Sequence, residues 1–345
     1  MAMERFFEFF RRKNYSALWH NLFIFFHLRY YIIPMNTELL QWIAIFVAAL
    51  AVLLKASDWF IKAAEKIGLA LGIPSFIVGV TIVAAGTSLP ELISSIFAVM
   101  QDSSEIVVGN VIGSNITNIL LVLGLTAIVG KSIDIKFDIL NIDMPLFIGS
   151  AFLLWYMLYD QSFTTLEAIV CLTGLLIFLA YTFGADREGE EEERPKITPM
   201  VFGMLLLGGI GIWAGAKYTV DAVIKISDIM GIGKDIVALS MIAFGTSIPE
   251  IIVSISAARR GNPEMAVGNV LGSNIFNTFA VMGIPALFGT LIIPESTTMF
   301  SLPIMMGASI LFVIMTLTKR ISKWEGMMLF LFYIIFITEL VKYTT

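Results

Sequence analysis

The pattern of apolar and polar positions changes character near residue 39. From there to the C-terminus, long apolar runs are separated by short polar turns, and each run has the length a helix needs to cross a bilayer, about 20 residues. Ten such runs are predicted as membrane-spanning helices: residues 39–71, 73–100, 106–129, 140–159, 163–183, 198–230, 232–258, 265–288, 299–317 and 324–341. Ahead of them, residues 1–34 mix Phe6, Phe7, Phe9 and Phe10 with Arg11, Arg12 and Lys13, then a short patch carrying His20, Asn21, His27 and Arg29. That patch is too short and too polar to span. The extension reads either as an interfacial arm or as sequence upstream of a start at Met35.

Two runs are interrupted midway by polar residues, Gly86-Thr87-Ser88-Leu89-Pro90-Glu91 and Gly245-Thr246-Ser247-Ile248-Pro249-Glu250. Pro90 has no N–H to give the carbonyl of Gly86, and its ring crowds that carbonyl, so the helix is expected to split there and free carbonyl oxygens. Thr87 and Ser88 lie four and three residues before Glu91 and share a helix face with it. Carbonyl, hydroxyl and carboxylate oxygens together are a hard donor set, suited to Ca²⁺ and Na⁺ rather than Zn²⁺ or copper. An ionisable group inside a span costs a few kcal/mol or more. A proline kink with back-bonded hydroxyls explains one such break; it does not explain two.

A second polar stripe follows each break: Gly109-Asn110-Val111-Ile112-Gly113-Ser114-Asn115-Ile116-Thr117-Asn118 and Gly268-Asn269-Val270-Leu271-Gly272-Ser273-Asn274-Ile275-Phe276-Asn277. Asn110, Ser114 and Asn118 recur every four residues and are expected to line one helix face with oxygens, as are Asn269, Ser273 and Asn277. Gly109, Gly113, Gly268 and Gly272 permit close helix approach. On its own, this stripe fits interhelical hydrogen bonding equally well; beside the broken helices it reads as the opposite wall of an ion site.

The two halves align without a gap. Glu250 follows Glu91 by 159 residues, as Asn269 follows Asn110 and Asn277 follows Asn118. Five spans per half is an odd number, so the second half must enter the membrane in the opposite orientation, and the two breaks approach the midplane from opposite sides. Inverted repeats with discontinuous helices are the architecture of secondary transporters. The predicted fold is an all-α polytopic membrane protein: an N-terminal extension (1–34), a first five-helix repeat (35–184), an acidic cytoplasmic linker (185–197) and a second five-helix repeat (198–345).

Composition agrees with that picture. Hydrophobic residues make up 58% of the chain, charged residues 14%, and the mean hydropathy is +0.88, outside the range of soluble domains. The net charge of −5 offers nothing to nucleic acid, and much of it sits in residues 186–193, which read as a solvated linker. Cys171 is the single cysteine, which rules out an intrachain disulfide and a cysteine-cluster metal site. His20 and His27, the two histidines, precede the first span, so the membrane core has none for proton relay or general-base work. Basic residues in the turns orient the chain. With the first span starting outside, the inner face holds Lys62, Lys66, Lys131, Lys136, Arg187, Arg194, Lys196, Arg259, Arg260, Lys319, Arg320 and Lys323, against Lys217, Lys225, Lys234 and Lys342 outside. Both termini are therefore expected outside, although the basic arm of residues 1–34 votes the other way.

The paired motifs resemble the alpha repeats of the calcium/cation antiporter superfamily, in particular its prokaryotic sodium/calcium exchangers. The resemblance covers residue 39 to the C-terminus in span count and inverted repeat, and the doubled motif is highly specific. It implies a sodium/calcium antiporter of a prokaryotic cell membrane, with no resident cofactor, with Ca²⁺ and Na⁺ as transported ions, and with three Na⁺ exchanged for one Ca²⁺. By the same resemblance Glu91 and Glu250 hold Ca²⁺, and Thr87 and Thr246 offer it backbone carbonyls. Ala84, Ala243, Ser88, Ser247, Ser114 and Ser273 match ligands of flanking Na⁺ sites, and Asn118 and Asn277 match the remaining polar positions. Some archaeal exchangers and the potassium-dependent branch have aspartate at the position of Asn277; two asparagines resemble the potassium-independent members. Two glutamates neutralise one Ca²⁺, so a 3:1 cycle moves one net charge and each 100 mV biases it by about 2.3 kcal/mol.

Other classes fit less well. A proton/calcium antiporter could also use buried glutamates, but that branch has a different signature around them. An intramembrane hydrolase acting through Ser88 or Ser247 lacks a histidine partner, and duplication gives a catalytic serine no advantage. Broken inverted repeats suit alternating access better than a channel, and current without a coupled-ion gradient would favour the channel instead.

Overall fold

The computed structural model describes residues 37–70, 84–135, 143–184, 197–259 and 264–342. The N-terminal extension, nearly all of the acidic linker and the opening of the second predicted span lie outside the described residues. The chain divides into two units, residues 1–44 and 45–345. The described part of the first is the opening of the long helix Thr37–Ala70; the second contains the rest of that helix and everything that follows.

Five described helices are long and apolar enough to cross a membrane: Thr37–Gly68, Glu105–Gly130, Pro199–Met230, Lys234–Arg259 and Thr297–Leu317. Shorter apolar helices lie at Leu89–Met100, Met144–Met157 and Thr165–Tyr181. All fall on runs expected from the sequence, to within a few residues at their ends. The boundaries of Pro199–Met230 follow from local chemistry. Thr198 is extended, Pro199 supplies a preset φ at the first helical position, and Gly231 closes the helix in the left-handed conformation at φ 65°.

The internal repeat survives folding residue for residue. Ala84–Thr87 corresponds to Ala243–Thr246, Leu89–Met100 to Ile248–Arg259, and Glu105–Thr117 to Glu264–Phe276, all at the 159-residue offset. Two short antiparallel ribbons show the inversion. Ser132–Asp134 pairs with Arg320–Ser322, with Ile133 opposite Ile321. Ser162–Phe163 pairs with Leu291–Ile292, with Phe163 opposite Leu291. The offset carries the pair Ser132 and Ser322 onto Leu291 and Phe163, so each ribbon is the image of the other. Each ties a turn of one half to a turn of the other.

Burial separates a centre from a periphery. The most apolar stretch of Glu105–Gly130 is wholly buried, whereas that of Pro199–Met230 is 28% buried. A helix apolar all round and enclosed by protein is a core element. Close packing around it depends on glycine. A Cβ on Gly113 would sit 2.6 Å from Ala243 Cβ and 2.7 Å from the Leu239 carbonyl oxygen, and one on Gly109 would sit 2.5 Å from the Asp235 carbonyl oxygen. For Gly268 and Gly272 the equivalent partner stretch falls on residues outside those described. At the periphery, Gly208, Gly211 and Gly215 of the second long helix press on Phe60, Ala56 and Leu53 of the first. Leu53, Ala56, Ile212 and Ala216 form an apolar cluster there, against which Leu89, Ile93 and Phe97 of the first broken helix pack.

One end of the bundle carries polar fastenings. Lys234 pairs with Glu105 at 3.2 Å and donates to Ser103 at 3.0 Å. The buried Asp235 accepts from Ser296 and Thr297, each at 2.9 Å.

Candidate cation-binding site

At both breaks the helix stops and restarts. Ala84–Thr87 gives way at Ser88 to Leu89–Met100, and Ala243–Thr246 gives way at Ser247 to Ile248–Arg259. In each, proline is the second residue of the new helix, where its missing N–H costs nothing. The glutamate follows in the first turn, where the helix dipole favours negative charge. The short turn therefore does two jobs: it exposes backbone near the break and points a carboxylate back toward it.

The two breaks converge. Glu91 and Glu250 are each 1% exposed, and Glu91 is close enough for its charge to act on Glu250. Each carboxylate is met by both halves of the chain. Glu91 lies beside Ser114 of its own half and Thr246 of the other; Glu250 lies beside Ser273 of its own half and Thr87 of the other. This crossed arrangement places the site at the repeat interface.

On the expected ligands of the breaks and the stripes that follow them, nine buried side-chain oxygens make no hydrogen bond of good geometry. They are Oε2 of Glu91, both oxygens of Glu250, the hydroxyls of Ser88, Ser247, Ser114 and Ser273, and Oδ1 of Asn118 and Asn277. Buried polar atoms without partners are rare and costly, about 1–3 kcal/mol each and more when charged. Ser57, Ser94, Asn110, Thr117 and Ser301 carry buried unpartnered oxygens as well; the nine on the expected ligands are carboxylate, hydroxyl and amide oxygens, a hard donor set that a cation would satisfy. Thr246 differs, since its hydroxyl donates to the Ile242 carbonyl at 2.9 Å. That donation spends the hydroxyl proton and leaves the hydroxyl oxygen, as well as the backbone carbonyl, able to face a cation. Ala243 is fully buried, and its carbonyl accepts the Ser247 N–H at 3.2 Å, which leaves one lone pair. Ala84, in the first short helix, holds the position equivalent to Ala243. Among the described residues no group of three or more His, Cys, Asp or Glu side chains is placed to hold a metal, so the carboxylate count of the site is two.

Comparison with known proteins bears on what this arrangement is. The family described as sodium/calcium exchanger protein matches residues 41–184 and again 200–341, one match per repeat. The chain belongs to the sodium/calcium exchanger family. Members are membrane transporters rather than enzymes, so the serines at the breaks are not nucleophiles. The sodium/calcium exchanger MaX1 of Methanosarcina acetivorans is 33% identical over 341 residues, covering 86% of this chain and 97% of that protein. A membrane protein of Methanocaldococcus jannaschii is 33% identical over 299 residues, covering 86% of this chain and 96% of its own. A solved structure of the sodium-calcium exchanger NCX_Mj, soaked with 2.5 mM Na⁺ and 10 mM Sr²⁺, superposes with a TM-score of 0.63 at 30% identity. It covers 87% of this chain and 99% of that one.

The structure adds a second job to one pair of residues expected to line a helix face with oxygens. The Asn110 amide donates to Ser95 Oγ and to the Glu91 carbonyl, both at 3.3 Å, while its Oδ1 stays buried without a partner, and Asn269 donates to Ser254 at 3.1 Å. They strap the restarted helix to its partner and so hold the carboxylate in place. Ser95 and Ser254 had a readable signal, because they too are 159 residues apart. A second feature had none: the partner helices widen into π-helix at Asn118–Leu123 and at Asn277–Val281, each beginning on the asparagine that faces the site. Such widenings recur at functional sites because they re-aim side chains.

Proposed function

We propose that this protein exchanges Na⁺ for Ca²⁺ across a prokaryotic cell membrane by alternating access, three Na⁺ for one Ca²⁺, with ten spans and both termini outside. The observation that carries the reading is the crossed pair Glu91 and Glu250, buried at the repeat interface among unpartnered oxygens. Ca²⁺ takes six to eight oxygen ligands, and two carboxylates match its charge. In this reading Glu91, Glu250 and the backbone carbonyls of Thr87 and Thr246 hold Ca²⁺. Ser88, Ser247, Ser114, Ser273 and the carbonyls of Ala84 and Ala243 hold Na⁺ beside it, and Asn118 and Asn277 add neutral oxygens. Cations a few Å apart in a low-dielectric site repel strongly. Na⁺ and Ca²⁺ competing for one pair of carboxylates therefore displace each other, which is the physical basis of antiport. An ion-free site leaves two buried charges without partners, which cannot pass an apolar barrier cheaply; the occupied site can.

The test is uptake of ⁴⁵Ca²⁺ into proteoliposomes with a gradient of Na⁺, K⁺ or pH imposed in turn. Uptake should follow the Na⁺ gradient, require no K⁺, and respond to membrane potential with the sign of one charge moving with sodium. Uptake driven by pH alone would make the protein a proton/calcium antiporter. Flux that needs no counter-ion gradient would make it a channel.

A further inference from the structure

An asparagine offers a cation either its oxygen, which attracts, or its NH₂, which repels, and half a turn about χ2 exchanges the two. Asn118 and Asn277 cannot settle which end faces the site by themselves. Their neighbours do. Asn118 Nδ2 donates to Asn274 Oδ1 at 3.0 Å, and Asn277 Nδ2 donates to Asn115 Oδ1 at 3.2 Å. These bonds are images of each other under the 159-residue offset, and each crosses from one repeat to the other. The two acceptors are held in turn, one more firmly than the other. Asn274 Nδ2 donates to the Asn115 carbonyl at 3.3 Å, which can only accept and so fixes the way Asn274 faces; Asn115 Nδ2 donates to Thr278 Oγ1 at 3.3 Å, with Met305 Sδ at 3.8 Å, a weaker hold because a hydroxyl can also donate. All four asparagines are buried. With both NH₂ groups engaged, Oδ1 of Asn118 and of Asn277 remains without a partner.

We infer that Asn115 and Asn274 are positioning residues that hold Asn118 and Asn277 oxygen-first toward the cations and select an amide over a carboxylate at those two positions. The inference rests on the proposed roles of Asn118 and Asn277 as ligands. A carboxylate at 118 or 277 would set an oxygen against the oxygen of its neighbour, and that neighbour would have to turn over. The two neighbours differ in what turning costs. Asn115 turned over meets Thr278, whose hydroxyl can donate instead of accept. Asn274 turned over sets its oxygen against the Asn115 carbonyl, which can only accept. Asn277→Asp is therefore tolerated better than Asn118→Asp.

The experiment is Na⁺-driven ⁴⁵Ca²⁺ exchange in proteoliposomes, with half-saturation and maximal rate measured separately. Asn115→Leu frees the Asn277 amide to turn, and should raise the Ca²⁺ half-saturation about fivefold, the equivalent of one buried hydrogen bond, with a smaller change in maximal rate. In an Asn277→Asp background both ends of residue 277 are oxygens, and Asn115→Leu should then change half-saturation by less than about twofold. Equal effects in the two backgrounds, or none in the wild-type background, would overturn the inference. Asn274→Leu with and without Asn118→Asp is the mirror cycle if Asn115→Leu fails to fold. Asn277→Leu separates the two layers: if it leaves Ca²⁺ half-saturation unchanged, the ligand assignment fails along with the inference. If Asn277→Leu raises half-saturation and Asn115→Leu does not, the positioning role alone fails.

Discussion

Among the described residues no salt bridge involves Glu91 or Glu250; the side chains that meet them are the hydroxyls of Ser114 and Thr246, and of Ser273 and Thr87. Glu91→Gln and Glu250→Gln keep the volume and the helical turn while removing one of two charges. With Ca²⁺ bound, losing one of its two anionic partners leaves a buried charge half compensated, at a cost of about 3–5 kcal/mol, so each variant should lose Ca²⁺ exchange more than a hundredfold while eluting from size exclusion as the wild type does. A glutamine variant with near wild-type flux would remove that residue from the site. Asn277→Asp makes the opposite change, adding a third titratable carboxylate where the unmodified site has two. Na⁺-driven exchange by the wild type should be insensitive to K⁺, and the variant should acquire a new dependence on pH or on a second monovalent cation. Strict K⁺ dependence of the wild type would contradict a two-carboxylate site.

Single elements are built to let backbones touch. The buried helix Glu105–Gly130 lies against the start of the second broken helix through Gly109 and Gly113, with backbone carbonyls of Asp235 and Leu239 in the space a side chain would take. Gly113→Ala puts a methyl group 2.6–2.7 Å from Ala243 and Leu239. Since backbone cannot step aside like a side chain, a cost of about 1–3 kcal/mol is expected. Thermal unfolding in detergent measures it: the apparent midpoint should fall, and Ca²⁺ should restore less of it than in the wild type, because Ser114 shifts with the helix. An unchanged midpoint would mean that the contact is looser than its geometry. The first long helix also crosses both breaks, with Ile61 against Gly86 and Leu50 against Gly245. Anything that moves that helix is therefore felt at both halves of the site.

For the whole molecule, we propose that alternating access moves the two long helices together against the centre. Gly208, Gly211 and Gly215 bind them to each other, through Leu53, Ala56 and Phe60. The contact with the first broken helix is apolar, with Phe97 edge-on to Trp213 at 6.2 Å between centroids. A tightly fitted pair on an apolar, non-directional face suits two long helices that slide together as one body. Joining Phe97→Cys to Trp213→Cys with a bifunctional maleimide, in a Cys171→Ser background, should stop exchange while ⁴⁵Ca²⁺ binding persists. Undiminished exchange by the locked protein would refute the sliding motion without touching the ligand assignment.

Much of this was legible before any coordinates, for a physical reason: a bilayer punishes polar groups so heavily that the few it contains stand out. Apolar length located the helices, the two prolines located the breaks, and exact duplication at 159 residues distinguished Glu91, Glu250 and the serines from incidental polarity. Thr198, Pro199 and Gly231 marked the ends of a helix in their own chemistry. What the sequence left open are relations between atoms far apart in the chain. Tertiary structure alone decided that Asn110 straps a helix while Ser114, one turn on, faces the carboxylate. The face of a helix follows from spacing, but what stands opposite it does not. Tertiary structure alone also decided that each carboxylate is met by the other repeat, that the partner helices widen at Asn118 and Asn277, and which neighbours take the N–H groups of those two asparagines. An amide reads the same in sequence either way round, and only the neighbour that takes its N–H tells the oxygen where to point.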